Sequence, residues 1–118
     1  MAGYMTSGSI VVRQGDSFDI LLHIRNSRGG NVNLKDCQIS MTVKNKENQK
    51  IMFTVIGEIV DKENGKAIIS LQPQLTDIAV GDYVCDIQIE FSNGDIHTIY
   101  PKDINKLGIF TITEQVTR

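Results

Sequence analysis

The amino-acid sequence predicts an all-β chain, an antiparallel β-sandwich of seven to eight short strands. Three observations carry that expectation. Apolar and polar residues alternate at period 2 in several short runs, the mark of strands with one buried face. Turn residues, among them Asn64-Gly65 and Asn93-Gly94, punctuate those runs about every eight to twelve residues. No 3.6-residue apolar period extends far enough for a long helix. A closed barrel satisfies the same pattern and stands as the alternative.

Residues 1–8 are small and polar, show no period, and are expected to form a flexible arm or one ordered by a partner. The folded domain is expected to span residues 9–118. Ser9 to Arg13 reads as a short first strand, ended by Gln14-Gly15-Asp16. Phe18, Ile20, Leu22 and Ile24 then alternate with Asp19, Leu21, His23 and Arg25 in a second strand. Turn residues 26–31 follow, and Val32 and Leu34 plug the edge of the core. Cys37, Ile39, Met41 and Val43 form the inward row of a third strand. Ile51 to Val60 is apolar and β-branched, so it reads as one strand with a bulge or bend at Gly57. Asn64-Gly65 turns the chain into a return strand, Lys66 to Leu71. Pro73 with Leu75, Ile78 and Val80 suits a single helical turn or an irregular crossover.

The most strongly patterned stretch is Gly81 to Phe91. A glycine turn launches it, Tyr83, Cys85, Ile87, Ile89 and Phe91 point to the core, and Asp82, Val84, Asp86, Gln88 and Glu90 point away. Tyr83 fits a tyrosine corner, its hydroxyl bonded to backbone near Thr76 to Ala79. Asn93-Gly94 joins this strand tightly to Ile96–Tyr100. Leu107, Ile109 and Ile112 are assigned to the closing strand, with Phe110 out of phase.

With 118 residues the chain is one domain by length, able to bury roughly two-thirds of its unfolded surface. Hydrophobic residues make up 41% and charged ones 22%, which sets the chain apart from disordered sequences. Twelve Lys and Arg against 14 Asp and Glu give a net charge of -2, which argues against nucleic acid as a partner. The beginning of the chain lacks the basic and apolar regions of a signal peptide, and no apolar run is long enough for a membrane span. Synthesis in the cytoplasm, no membrane partner and no export are therefore expected.

Candidate chemistry is sparse. His23 and His97 read as exposed or rim residues, without the neighbouring ligands of a metal site. Cys37 and Cys85 lie within apolar alternation and read as inert, reduced thiols, with a disulfide between them as the alternative. The aspartates recur beside turns, where their carboxylates bond nearby amides, and none shows a calcium-loop spacing. Gly29-Gly30 has no following Lys-Ser/Thr and no strand-to-helix transition, so it is no phosphate loop. No catalytic, cofactor-binding or metal-binding residue is assigned, and no cofactor is expected.

A family resemblance runs through the same residues. Gly15-Asp16-Ser17-Phe18 precedes a strand, Gly29-Gly30 and Leu34 follow, and Leu75 precedes Gly81-x-Tyr83-x-Cys85-Asp86-Ile87. Asn93-Gly94, Phe110-Thr111-Ile112-Thr113 and Val116-Thr117-Arg118 complete the order. This order resembles the small Ig-like domains of tailed-bacteriophage virion proteins, similar to the N-terminal domain of upper baseplate proteins. Cys85 stands where such sequences carry a tyrosine or another large residue, and Lys102–Leu107 is an unusual charged closing segment expected to lengthen the last hairpin.

The resemblance implies an Ig-like sandwich and a non-enzymatic structural role in a phage tail, baseplate or head. Its partners would be other virion proteins, with a homo-oligomer as a further expectation. Gly81, Tyr83, Cys85 and Phe18 are its structural residues. Contacts are expected from Tyr4 on the arm and from Leu21 and Val84, apolar residues on outward strand faces. The alternative is a module that recognises a host-surface glycan or receptor, for which Tyr4 and Tyr100 are the available loop aromatics.

Overall fold

The strand Gly81–Glu90 is flanked on both edges, and the larger of two sheets is assembled on it. The structure is a computed structural model that describes residues 3–115. In chain order the elements are β1 (Gly3–Met5), β2 (Ser9–Arg13), β3 (Phe18–His23), β4 (Gln38–Asn45), β5 (Ile51–Ile56) and β6 (Glu58–Asp61). They continue with β7 (Lys66–Leu71), α1 (Pro73–Thr76), β8 (Gly81–Glu90), β9 (Ile96–Tyr100) and β10 (Gly108–Thr113). A seven-stranded sheet has the order β1-β2-β10-β8-β4-β5, with β9 also on β8, and a three-stranded sheet has the order β3-β7-β6. Neither sheet closes on itself, so the arrangement is an open two-layer sandwich rather than a barrel.

The core lies between the layers. Ile10, Ile39, Met41, Ile87, Phe110 and Ile112 from the larger sheet meet Ile20, Ile69 and Leu71 from the smaller, each at most 1% exposed. Phe53 and Phe110 meet edge to face, with centroids 6.0 Å apart. Leu34 is fully buried between strands, anchored by its amide on the Lys62 carbonyl. Phe18 is half-buried at the start of β3, opposite Leu71.

Several elements depart from the sequence expectation, each for a physical reason. Among the described residues there are ten strands rather than seven to eight. The sheet is mixed, because β2 runs parallel to β10. These two strands are joined by almost the whole chain instead of a tight turn, so no hairpin imposes antiparallel order. The expected arm contributes β1, which pairs Gly3 with Val12 and Met5 with Ile10. The Thr6 hydroxyl makes that turn, accepting the Ser9 amide at 3.1 Å. Met1, Ala2 and the closing Val116-Thr117-Arg118 lie outside the described residues.

Ile51 to Val60 is two strands in different sheets, not one bulged strand. The chain changes layer at Gly57, whose amide donates to the Ile39 carbonyl at 2.7 Å. A Cβ there would stand only 3.2 Å from Ile69 Cγ1 and 3.3 Å from the Ile68 carbonyl, so any larger residue at this corner requires its neighbours to give by a few tenths of an ångström. In β10 Phe110 and Ile109 are out of phase as expected, but it is Phe110, not Ile109, that shares the core row with Ile112. Phe110 and Ile112 face the core, while Leu107 precedes the strand and is 72% exposed.

The crossover from β7 to β8 is held by polar contacts. Thr76 is fully buried, and its hydroxyl donates to the Asp16 carbonyl at 2.7 Å. The Gln14 side chain donates to the Ile78 carbonyl at 2.9 Å, tying the same segment to the turn after β2. The Tyr83 hydroxyl donates to the Ala79 carbonyl at 2.6 Å, within the segment the sequence points to, and burial pushes its pKa up.

Two stability predictions follow from these contacts. Tyr83→Phe removes one buried hydrogen bond and is expected to cost about 1 kcal/mol in chemical denaturation; an unfolding curve that overlays the parent would count against the corner. Gly65 turns β6 into β7 at a φ of 69°, and a Cβ there would meet the Ile24 and Val32 carbonyls. Gly65→Ala should therefore lose roughly 1–3 kcal/mol by the same measurement, from backbone strain alone.

Candidate functional site

Both β9 and β10 lie along one edge of β8, while β4 occupies the other. Ile87–Glu90 pair with β9, and Gly81–Cys85 pair with β10. Residues 101–107 must leave the sheet between the two and return to the same edge. They do not lengthen a hairpin, since β9 and β10 are not partners of each other. Within the segment the Asp103 carboxylate accepts the Asn105 amide at 2.9 Å, and the Asp103 carbonyl accepts the Lys106 amide at 3.1 Å. This turn holds Ile104 outward at 95% exposure.

The segment walls a concavity of about 360 Å³ on the outer face of the larger sheet. Its floor includes Thr42 and Lys44 of β4 and Val84 and Asp86 of β8, and its wall includes Ile104 and Leu107. Val84 is thereby 8% exposed, not the outward contact residue expected from alternation. Period 2 places it on the outer face correctly, but Lys44 and Ile109 flank it and the loop stands over that face. Burial pushes the Asp86 carboxyl above its usual range, and the Lys44 ammonium pulls it part of the way back.

The other expected contact residues are at the surface but apart from this concavity. Leu21 is 78% exposed on the outer face of the smaller sheet, beside Ile68. Tyr4 is 57% exposed on β1, opposite Val11. Tyr100, by contrast, is buried, and its hydroxyl donates to the Thr6 carbonyl at 3.0 Å. Burial first, and then the neighbouring Cys85, push that hydroxyl up to about 12. It is therefore no loop aromatic for a sugar. A second cleft of about 800 Å³, between residues 22–29 and 98–102, has no Phe or Tyr in its lining.

The histidines and cysteines do not converge. The Arg25 guanidinium donates to His23 Nδ1 at 3.1 Å, so the neutral ring donates from Nε2 to the Asn31 amide oxygen at 2.8 Å. His97 meets the Phe91 ring edge to face at 5.5 Å. Both cysteines are free thiols. Cys85 is buried, and burial and then Asp86 push its thiol up to about 12. Cys37 is half-buried, with its sulfur 3.6 Å from the Lys35 carbonyl. Among the described residues, no group of three or more His, Cys, Asp or Glu side chains could hold a metal ion.

Ile104 and Leu107 were not among the contact residues read from the sequence. The available signal was two large aliphatics in an otherwise polar stretch, Pro101 to Lys106 and Leu107. Assigning Leu107 to the closing strand hid it.

Comparison with known proteins bears on the fold. The crystal structure of CopC from Methylosinus trichosporium OB3b is similar, with a TM-score of 0.51 and 15% identity. The match covers 94% of this chain and 89% of that one. At such identity the likeness speaks for the β-sandwich fold alone. No family model and no curated protein sequence matches the chain.

Two measurements probe the site. In the native protein, a thiol reagent at neutral pH should label Cys37 and leave Cys85 unmodified until the chain unfolds, because a buried thiol with so high a pKa offers almost no thiolate. Rapid native labelling of a Cys37→Ser variant would contradict that placement. A native carboxyl with a raised pKa contributes stability that is complete below the unfolded value and lost as pH rises through the folded one. Asp86→Asn is therefore expected to melt above the parent at pH ~7, with the gap closing below about pH 4.

Proposed function

We propose that this chain is a non-enzymatic structural protein of a tailed-bacteriophage particle, an Ig-like sandwich acting through assembly contacts with other virion proteins. The observation that carries the reading is the 101–107 segment. It presents Ile104 and Leu107 at 95% and 72% exposure beside a concavity floored by Val84. Each such side chain gains roughly 1.5–3 kcal/mol on moving from water into an apolar contact. Two of them on one short loop make a compact apolar anchor. Leu21 and Tyr4 supply further exposed apolar surface on other faces.

The motif order from Gly15-Asp16-Ser17-Phe18 to Phe110-Thr111-Ile112-Thr113 supports the phage assignment. The tyrosine-corner bond from Tyr83 to Ala79 supports the Ig-like description of the sandwich. The chain is made in the host cytoplasm and ends in the particle. A tagged copy should co-purify with phage particles through a density gradient. Substituting Ile104→Asn and Leu107→Asn together should lower its occupancy by about tenfold or more without shifting its melting temperature. A parent protein absent from purified particles overturns the proposal.

A further inference from the structure

The cleft between residues 22–29 and 98–102 differs in charge from the concavity on the outer face. Leu22 of β3, Ile24 just after it and Ile99 of β9 line it with apolar surface, all half-buried against the core. Arg25 follows β3 of the smaller sheet, Lys102 follows β9 of the larger, and both are exposed. Among the described residues, the lining holds no Asp or Glu, and neither cation is paired with a carboxylate. The outer concavity, by comparison, sets Asp86 and Asp103 against Lys44 and Lys106, so its charges offset. In a chain of net charge -2 the cleft is a local reversal of sign. Charges of one sign beside low-dielectric walls focus the field on a ligand of the other sign.

The Arg25 guanidinium is held by a one-way row of side-chain hydrogen bonds that ends on a carboxylate. The ionised Asp61 only accepts, so Asn64 turns its amide nitrogen toward it at 2.9 Å. The Asn64 oxygen then accepts from the Asn31 amide nitrogen at 3.2 Å, and the Asn31 oxygen accepts from His23 Nε2 at 2.8 Å. His23 Nδ1 is left as the acceptor for Arg25 at 3.1 Å. Each group in such a row polarises the next. One guanidinium N–H is fixed by this anchor, and the others are donors for a ligand.

We propose that this cleft binds an acidic, extended segment of a partner protein. Aspartate or glutamate side chains would meet Arg25 and Lys102, and an apolar side chain would rest on Leu22, Ile24 and Ile99. Arg25 suits a carboxylate because its planar fork donates two parallel N–H bonds. The cleft, at about 800 Å³, is far larger than one free anion fills and lies in the range of organic ligands. Its lining has no Phe or Tyr, and so lacks the stacking surface that a base or sugar ring would use. The inference stands on Arg25 and Lys102 and uses neither Ile104 nor Leu107, so it and the proposed function can fail separately.

Chemical-shift titration of the isotope-labelled full chain tests it, with an end-blocked peptide of alternating glutamate and leucine as the probe. Shifts are expected at residues 22–29 and 98–102, and binding should weaken as added salt screens the charges. Arg25→Gln and Lys102→Gln should each raise the Kd by about tenfold. Lys46→Gln removes a cation outside the cleft and should leave the Kd unchanged. Arg25 and Lys102 are exposed, so both variants are compatible with the fold, and the same spectra report folding. A peptide with glutamine in place of glutamate should not bind. No shifts at millimolar peptide, equal binding of the glutamine peptide, or a Kd indifferent to Arg25→Gln overturns the proposal. Tighter binding of inorganic phosphate or of a sulfated oligosaccharide than of the acidic peptide overturns it as well.

Discussion

The structure depends on the backbone pairing of β8. Its one edge holds β4 from Tyr83 to Glu90, and its other edge is divided between β10 and β9. Five of the six other strands of the larger sheet reach it directly or through one neighbour. The division of one edge between two partners has a topological consequence. A chain that leaves one half of the edge and re-enters the other half must bulge out of the sheet between them. The 101–107 loop, its exposed Ile104 and Leu107, and the concavity over Val84 and Asp86 all follow from that.

β8 also carries the sign conflict that makes its outer face unusual. Asp86 is a carboxylate on a face where alternation assigns solvent, yet burial raises its pKa. The loop that exposes two aliphatics is the one that removes water from this acid. Burial and ionisation are therefore opposed at this place. The buried thiol of Cys85, one residue earlier, has no such tension, because a thiol stays neutral in the core.

Much of the architecture was legible because period 2 is a local property. Ile20, Ile39, Met41, Ile87 and Ile89 all fall on the buried face that alternation gives them, and Asn64-Gly65 and Asn93-Gly94 mark real turns. What was not legible is non-local. Gly57 reads as a bulge, because no local pattern distinguishes a bend within a sheet from a change of layer; the partners of β5 and β6 decide it. In β10 the alternation looked imperfect because Leu107 and Ile109 are apolar and Gly108 is small, so the local pattern did not show that Phe110 and Ile112 share the core row. The burial of Val84 and Tyr100 depends on a loop and a turn distant in sequence. Parallel pairing of β2 with β10 has no local signature at all.

The same contrast bears on the apolar surface left uncovered. A residue that folds the chain announces itself by its period, whereas an uncovered one is visible only as an apolar side chain that the finished fold leaves exposed. Leu21 meets that description from the sequence alone, since both its strand neighbours, Ile20 and Leu22, turn toward the core. Ile104 meets it only once the split edge of β8 is known. β5 meets it only once its position at the end of the sheet is known, because an identical run in a central strand would be unremarkable core. In this chain, which apolar side chains stay uncovered is therefore set by topology more than by composition, and the looped-out Ile104 and Leu107 are the clearest case.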